Sequence, residues 1–206
     1  MKQKFAPNPS IPSQSTPLQT AVQNDDAAAV RAIIEGANPP SAEQAGHALL
    51  DAAINNSLAV AEVLLGHSIQ PYFISKGLLC AAETHRLQMA QLLLQNGADT
   101  CYRQQNTPFT ALECAASGGD QEMVALLIAH GADVASDIEI LATAALDGRT
   151  EILRLLLLNG ATSYDDQRLS TLLRLMAEDA KSKLRPIIPA SSGVRLEEDW
   201  GFGEDE

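Results

Sequence analysis

Cysteine and histidine are the residue types in this chain whose chemistry would suit a metal ion or a nucleophile. The three cysteines are Cys80, Cys101 and Cys114, an odd number without the spacing of a disulfide framework. Cys80 and Cys114 occupy the same position of two similar segments, so we expect them about one segment apart on one helix face. The histidines are scattered: His47, His67, His85 and His130. Because the cysteine pair has no further ligands, the sequence predicts neither a metal site nor a cofactor.

Motifs for other chemistry are missing from the sequence. It contains no Gly-rich phosphate-binding loop, no Cys-x-x-Cys pair and no Gly-x-Ser-x-Gly elbow. The net charge is −12, from 14 Lys and Arg against 26 Asp and Glu, without a basic stripe, so we expect no nucleic-acid partner. No apolar run predicts a signal peptide or a membrane span. We expect a cytoplasmic or nuclear protein that is a monomer on its own.

The cysteine pair belongs to a segment of about 30 residues that occurs five times. The fourth copy reads TALECAASGGDQEMVALLIAHGADV (residues 110–134), and the third reads GLLCAAETHRLQMAQLLLQNGADT (residues 77–100). Each copy has a register alanine, which falls at Ala21, Ala52, Ala81, Ala115 and Ala144. An aliphatic block follows it in every copy. Self-similarity at this period indicates stacked units that bury their apolar faces against their neighbours.

The ends of the predicted helices carry the residues that caps and turns require. Thr16 can cap the first helix. Pro17 suits the first turn, because an N–H at that position has no acceptor within the helix and its absence costs nothing. The turn between the two helices of a copy favours a left-handed residue, which Gly148 provides in the fifth copy. Asn56 and His85 stand at this turn in the second and third copies, and both residue types tolerate the left-handed conformation better than most.

These copies resemble the ankyrin repeat, whose period is about 33 residues and whose opening motif is T-P-L-H-x-A. The resemblance covers residues 16–164 and implies an all-α solenoid of helix-turn-helix units. The five predicted repeats are 16–38, 47–70, 76–100, 110–134 and 139–163. An apolar stripe at helical spacing within 165–183 predicts a C-terminal capping helix, or alternatively an amphipathic helix that binds a partner.

Two tails flank the predicted array. Residues 1–15 are rich in Pro, Ser, Gln and Asn, and residues 184–206 are acidic, so both tails are predicted to be disordered. The acidic tail could serve solubility alone. However, its aromatic residues Trp200 and Phe202 stand among acidic residues, as in a short motif that docks into a basic-rimmed apolar pocket. The same two residues could instead fold back onto the repeats.

In ankyrin proteins the connections between repeats form projecting fingers, and with the first helices they make the concave surface that partners bind. The resemblance therefore implies that connection residues of this chain contact a partner. The predicted connections contain Tyr72, Phe73, Tyr102, Arg103, Gln104 and Phe109. Aromatic residues are favoured at binding hot spots because they bury a large area at a low entropy cost. Alternatively, Phe73 and Phe109 turn inward and anchor their connections.

The resemblance also implies which first-helix residues face the partner. They are Thr20, Gln23, Asn24, Asp51, Asn55, Cys80, Glu83, Thr84, Cys114, Ser117, Thr143 and Asp147. This row is polar and acidic without Lys or Arg, so it suits a partner protein with a basic or donor-rich surface. We therefore predict a non-catalytic protein-protein interaction module that is an adaptor, an inhibitor or a subunit of a complex. The alternative is a small-molecule enzyme, for example a cyclase or isomerase, that uses Asp51, Glu83 and Asp147 as acid or base.

Overall fold

The computed structural model describes residues 16–104, 109–134 and 138–160. The predicted tails, the capping helix and the docking motif of Trp200 and Phe202 lie outside the described residues. Within them the elements are all α-helices, and none is long and apolar enough to cross a membrane. The helices are α1 (Pro17–Gln23), α2 (Ala27–Ile34), α3 (Ala42–Asn55), α4 (Leu58–Leu65), α5 (Pro71–Glu83), α6 (Leu87–Gln95), α7 (Ala111–Gly118), α8 (Gln121–Ala129), α9 (Ile138–Leu146) and α10 (Thr150–Leu158).

The helices form the two layers of a solenoid. The odd-numbered helices, here named first helices, pack on one another in chain order, and the even-numbered second helices do the same. Each repeat is one first helix with the second helix that follows it, so repeat 1 is α1 and α2 and repeat 5 is α9 and α10. The prediction of an all-α repeat solenoid is therefore confirmed.

Residues at the repeating positions fill the core. The register alanines Ala52, Ala81, Ala115 and Ala144 are fully buried, and their small side chains let neighbouring first helices approach closely. The aliphatic blocks supply fully buried leucines, among them Leu64, Leu93, Leu127 and Leu156. Because a single repeat cannot bury its own apolar face, contacts between neighbours stabilise the array.

The turns inside the repeats adopt the left-handed conformation that the sequence predicts. The φ angle is 61° at Asn56, 56° at His85 and 67° at Gly148. Asp25 holds the same conformation in repeat 1, with a φ angle of 54°. Each of these residues lets the chain reverse between two antiparallel helices within a few residues.

The first helix of repeat 2 begins earlier than the predicted repeat boundary at residue 47. α3 begins at Ala42 because Ser41 caps it. The backbone N–H of Gln44 donates to the Ser41 hydroxyl at 3.2 Å. The backbone N–H of Ser41 donates to the side-chain oxygen Oε1 of Gln44 at 2.9 Å. This reciprocal capping box fixes the start of the helix.

The first helix of repeat 3 also begins early. α5 begins at Pro71 rather than near residue 76, because proline has a φ angle that suits the first turn of a helix. Tyr72 and Phe73 therefore lie in a helix, and the prediction that they belong to a connection is wrong.

A glycine in the middle of α3 makes room for Phe73. Gly46 faces the Phe73 ring so closely that an added Cβ atom would overlap the ring. Phe73 is only 5% exposed. The alternative prediction that Phe73 turns inward is therefore correct. Its ring interlocks repeat 3 with repeat 2.

Candidate protein-binding face

The first helices leave one side accessible, which we name the first-helix face. The residues directly before the register alanines lie on it: Thr20, Asp51, Cys80, Cys114 and Thr143. These residues and the other members of the predicted row are all exposed or half-buried. Packing of neighbouring first helices places members of the row side by side.

An aromatic cluster of His47, Tyr72, Phe73 and Tyr102 lies at the start of α5. The Tyr72 ring meets two rings edge-on, Phe73 with centroids 5.2 Å apart and Tyr102 at 5.7 Å. Phe73 also meets His47 of α3, at 5.1 Å. Tyr72 is 47% exposed whereas Phe73 is buried. Phe73 therefore supports the Tyr72 ring and offers little surface of its own to a partner.

The connection after α6 brings Tyr102 to the cluster. Burial, the hydrogen bond with the Tyr72 side chain and the nearby Tyr72 and Cys80 groups raise the pKa of Tyr102 to about 12. The Tyr102 hydroxyl is therefore protonated at neutral pH. The exposed ring of Tyr72 and the half-buried ring of Tyr102 form a partly apolar surface, and the Tyr102 hydroxyl is engaged with the Tyr72 side chain.

Lys76 adds a positive charge beside the cluster. Its Nζ lies 5.9 Å from the centroid of the Tyr72 ring, within the range of a cation–π contact. Its charge also works against the raised pKa of Cys80. Lys76 was not among the residues of the predicted row, so it adds a cation beside a row that itself contains no Lys or Arg. The sequence did hold a signal, since the four-residue steps from Tyr72 to Lys76 to Cys80 put all three on one side of a helix.

Two half-buried thiols lie on the first-helix face. Burial and then the charge of Glu83 raise the pKa of Cys80 and of Cys114, the latter to about 11. Both side chains are therefore neutral thiols at neutral pH. Glu83, the last residue of α5, is close enough to both cysteines for its charge to act on each of them. In the described part of the chain, no group of three or more His, Cys, Asp or Glu side chains is placed to hold a metal ion.

Two carboxylates of repeats 4 and 5 are held by arginines. The Arg103 Nη1 lies 3.0 Å from Glu113 Oε1, and Glu113 is buried. The Arg149 Nη2 lies 3.2 Å from Asp147 Oδ2. Arg103 thus ties its connection to α7, and the next residue, Gln104, is half-buried.

Two carboxylates of repeats 2 and 3 have no such arginine. Asp51 is half-buried and Glu83 is exposed, and neither forms an ion pair with a residue that the structure describes. Ile54, one turn after Asp51 on the same side of α3, is 49% exposed. Sequence reasoning missed Ile54, although the three-residue step from Asp51 predicts a shared side.

Phe109 is also exposed, at 48%. The alternative prediction that Phe109 turns inward and anchors its connection is therefore wrong.

The carboxylates of the enzymatic alternative are far apart. Asp51 lies on α3, and Asp147 follows the end of α9. Three steps between packed first helices separate them, which at 8–10 Å a step amounts to about 24–30 Å. Asp51 and Asp147 therefore do not act together on one bond, and Asp147 is in addition paired with Arg149.

The stacked helix pairs define a helical repeat protein. A family model described as three copies of the ankyrin repeat matches residues 78–168. With the register of the five copies and the two-layer fold, this match shows that the chain belongs to the ankyrin repeat family.

Similar proteins share the repeats over part of their length. The chain is 31% identical over 153 residues to the ankyrin repeat and KH domain-containing protein mask-1 of Caenorhabditis elegans, covering 71% of this chain and 6% of that protein. It is 28% identical over 151 residues to ankyrin repeat and SOCS box protein 6 of Mus musculus, covering 68% of this chain and 33% of that protein. The chain thus spans a third or less of these two relatives.

A solved structure confirms the fold. An ankyrin repeat domain from Acinetobacter baumannii AYE matches with a TM-score of 0.62 and 25% sequence identity, covering 76% of this chain and 87% of that one. Ankyrin repeats are generally protein-protein interaction modules and are generally non-enzymatic.

Proposed function

We propose that this chain is a non-catalytic protein-binding module that holds a partner protein on its first-helix face. In this role it is an adaptor, an inhibitor or a subunit of a complex. The observation that carries the proposal is the accessible pair of Tyr72 and Tyr102, which a helix and a connection position against each other. The general role of ankyrin repeats supports the same function.

The Tyr72 ring has the properties of a binding hot spot. It is 47% exposed and rests edge-on against Phe73 and Tyr102. Because these contacts already fix the ring, a partner that binds it pays little further loss of side-chain conformational entropy. Tyrosine also combines a large apolar area with a hydroxyl that can hydrogen-bond to the partner.

Charge supports a partner with a basic or donor-rich surface. The chain has a net charge of −12. Asp51 and Glu83 lie on the first-helix face without an ion pair in the described part of the chain. Complementary charge speeds association and selects among partners. The same negative charge disfavours nucleic acid, whose phosphates are negative.

The test measures the affinity for a partner that is first isolated by affinity capture and mass spectrometry. Tyr72→Ala and Tyr102→Ala should each weaken binding by about 1–2 kcal/mol or more in isothermal titration calorimetry, as hot-spot residues do. Tyr72→Phe keeps the ring and reports what the hydroxyl adds. Gln121→Ala changes an exposed residue of the second helix α8 and should leave the affinity unchanged. Far-UV circular dichroism checks that each variant keeps its helices.

Unchanged affinity in the double variant Tyr72→Ala, Tyr102→Ala would contradict the proposal and direct attention to the 184–206 tail with Trp200. An enzyme would show the opposite ranking. In that case Asp51→Asn or Glu83→Gln abolishes the turnover of a small molecule while binding of the partner survives.

A further inference from the structure

We infer that repeats 2 and 3 bind a basic segment of the partner protein, with one Lys or Arg side chain held by Asp51 and Glu83 and one apolar side chain placed on Tyr72. This inference rests on the proposed function and adds the chemistry, the spacing and the direction of the bound segment. It is supported by two carboxylates without ion pairs, an exposed aliphatic residue beside them, and a positive charge at the opposite end of α5.

The two carboxylates lie on neighbouring helices. Asp51 is on α3 and Glu83 on α5, and the axes of helices packed in this way are about 8–10 Å apart. Glu83 is the last residue of α5, where the helix dipole disfavours a negative charge, so the fold gains nothing from this charge. No described residue neutralises either carboxylate. A cationic side chain of a partner can lie between them and neutralise both.

The apolar surface beside these carboxylates favours a long cationic side chain. Ile54 is 49% exposed and occupies the same register position on α3 that Glu83 occupies on α5. Lys and Arg side chains lay their aliphatic stems along apolar surface while their charged ends reach a polar group. The stem therefore packs on Ile54 while the charged end meets Asp51 and Glu83.

The opposite end of α5 favours an apolar side chain. Lys76 Nζ already lies over the Tyr72 ring at 5.9 Å, so a second cation at this place would be repelled. The Tyr72 and Tyr102 rings offer an edge-to-face corner to which an apolar side chain can add contact area. The charges along α5 thus give the bound segment one direction, with its basic residue at Glu83 and its apolar residue at Tyr72.

The length of α5 sets the spacing within the bound segment. Tyr72 and Glu83 are eleven residues apart on one helix. At 1.5 Å per residue this separation is about 16 Å. An extended segment, with about 3.3 Å per residue, spans it with about five residues.

Random dodecapeptides displayed on phage and panned on the full chain provide the probe. We expect the enriched sequences to pair an aromatic or aliphatic residue with a Lys or Arg about four to six positions away. One enriched peptide is then synthesised, and its Kd is measured by fluorescence anisotropy at low and high salt. The double variant Asp51→Asn, Glu83→Gln should raise the Kd about tenfold or more at low salt and flatten the salt dependence. The matched control Glu122→Gln removes a charge from α8 and should leave the Kd unchanged.

The outcomes separate this inference from the proposed function. Peptides that bind less well to Tyr72→Ala but equally well to the double carboxylate variant overturn the basic segment and leave the binding face in place. Peptides indifferent to both sets of substitutions overturn the inference and the proposed function together. Enrichment of acidic peptides, or no enrichment at all, also overturns the inference.

Discussion

Repeats 2 and 3 differ from repeats 4 and 5 in the surroundings of their carboxylates. Glu113 and Asp147 each lie about one hydrogen-bond length from an arginine, at 3.0 Å and 3.2 Å. Asp51 and Glu83 have no ion pair with any residue that the structure describes. The same residue type is therefore part of the fold in one half of the array and available to a partner in the other half.

The positions of Glu113 and Glu83 along their helices explain why these two carboxylates differ. Glu113 stands in the first turn of α7, where its side chain accepts a hydrogen bond from the Thr110 amide and completes a capping box. It is buried there, so Arg103 is needed to neutralise its charge. Glu83 stands at the opposite end of α5, exposed and without a cap to complete. Of these two glutamates, the one in the first turn of its helix has a structural role and the one at the last residue does not.

The joints between repeats differ as well. Repeats 2 and 3 are joined by the Phe73 ring, which fills the space that Gly46 leaves. Repeats 4 and 5 are joined by Arg149, whose guanidinium donates to the Ala116 carbonyl oxygen and lies against Gly119. The Phe73 contact is apolar, whereas the Arg149 contact adds a polar link to the apolar packing of repeats 4 and 5.

The largest expected effect tests the apolar joint. Gly46→Ala places a Cβ atom inside the Phe73 ring, so the ring must move, and the free energy of unfolding should fall by about 1–3 kcal/mol. Urea unfolding followed by circular dichroism measures the change. Gly66→Ala is the matched control, because its Cβ would meet only carbonyl oxygens, at 3.4 Å and 3.8 Å. Equal losses in the two variants would contradict the interlock.

A smaller effect tests the two kinds of carboxylate directly. Glu113→Gln removes the ion pair with Arg103, whose side chain is 47% exposed, and should lower the free energy of unfolding by about 1 kcal/mol. Glu83→Gln removes a charge that the helix dipole disfavours, so stability should stay unchanged or rise by about 0.3 kcal/mol. Thermal unfolding of both variants gives the comparison. A larger loss for Glu83→Gln would reverse the assignment of roles.

The smallest effect concerns thiol chemistry. Burial, then Glu83 and Cys80, raise the pKa of Cys114 from 9.0 to about 11. The folded state holds this thiol neutral, so its stabilising contribution is complete below pH 9 and is lost as the pH rises toward 11. Glu83→Gln removes one cause and should make iodoacetamide alkylate Cys114 about two- to fivefold faster at pH 9. Peptide mass spectrometry measures the rate, with the exposed Cys101 as internal standard and Asp51→Asn as a variant that should change nothing.

Repetition made the fold and the turns predictable from the sequence. The register alanines and the aliphatic blocks recur in every copy. A single copy is weak evidence for the repeat, whereas five copies in register are strong evidence. The left-handed turns at Asn56 and His85 followed from the residue types alone. The core positions and the turns depend on residue types that recur at the same place in each repeat.

Two kinds of feature were harder to predict: helix starts that one residue sets, and contacts between side chains that lie apart in the sequence. The starts of α3 and α5 are set by Ser41 and Pro71, which lie before the repeated motif, so the motif alone places Tyr72 in a connection. The pairing of Arg103 with Glu113 joins a connection to the helix that follows it, and no periodicity encodes that distance. The candidate site is built largely from such features.

The fit of Phe73 against Gly46 limits how this array can be rearranged during evolution. In a repeat protein each unit contacts only its neighbours, so the fit between two units decides which units can stand side by side. Gly46 stands six residues before its register alanine, where repeats 3 and 4 have Ser75 and Phe109. If repeat 3 followed repeat 4, the position that corresponds to Gly46 would carry a phenylalanine instead of a glycine. The Phe73 ring of repeat 3 therefore requires a neighbouring repeat that carries glycine at this position.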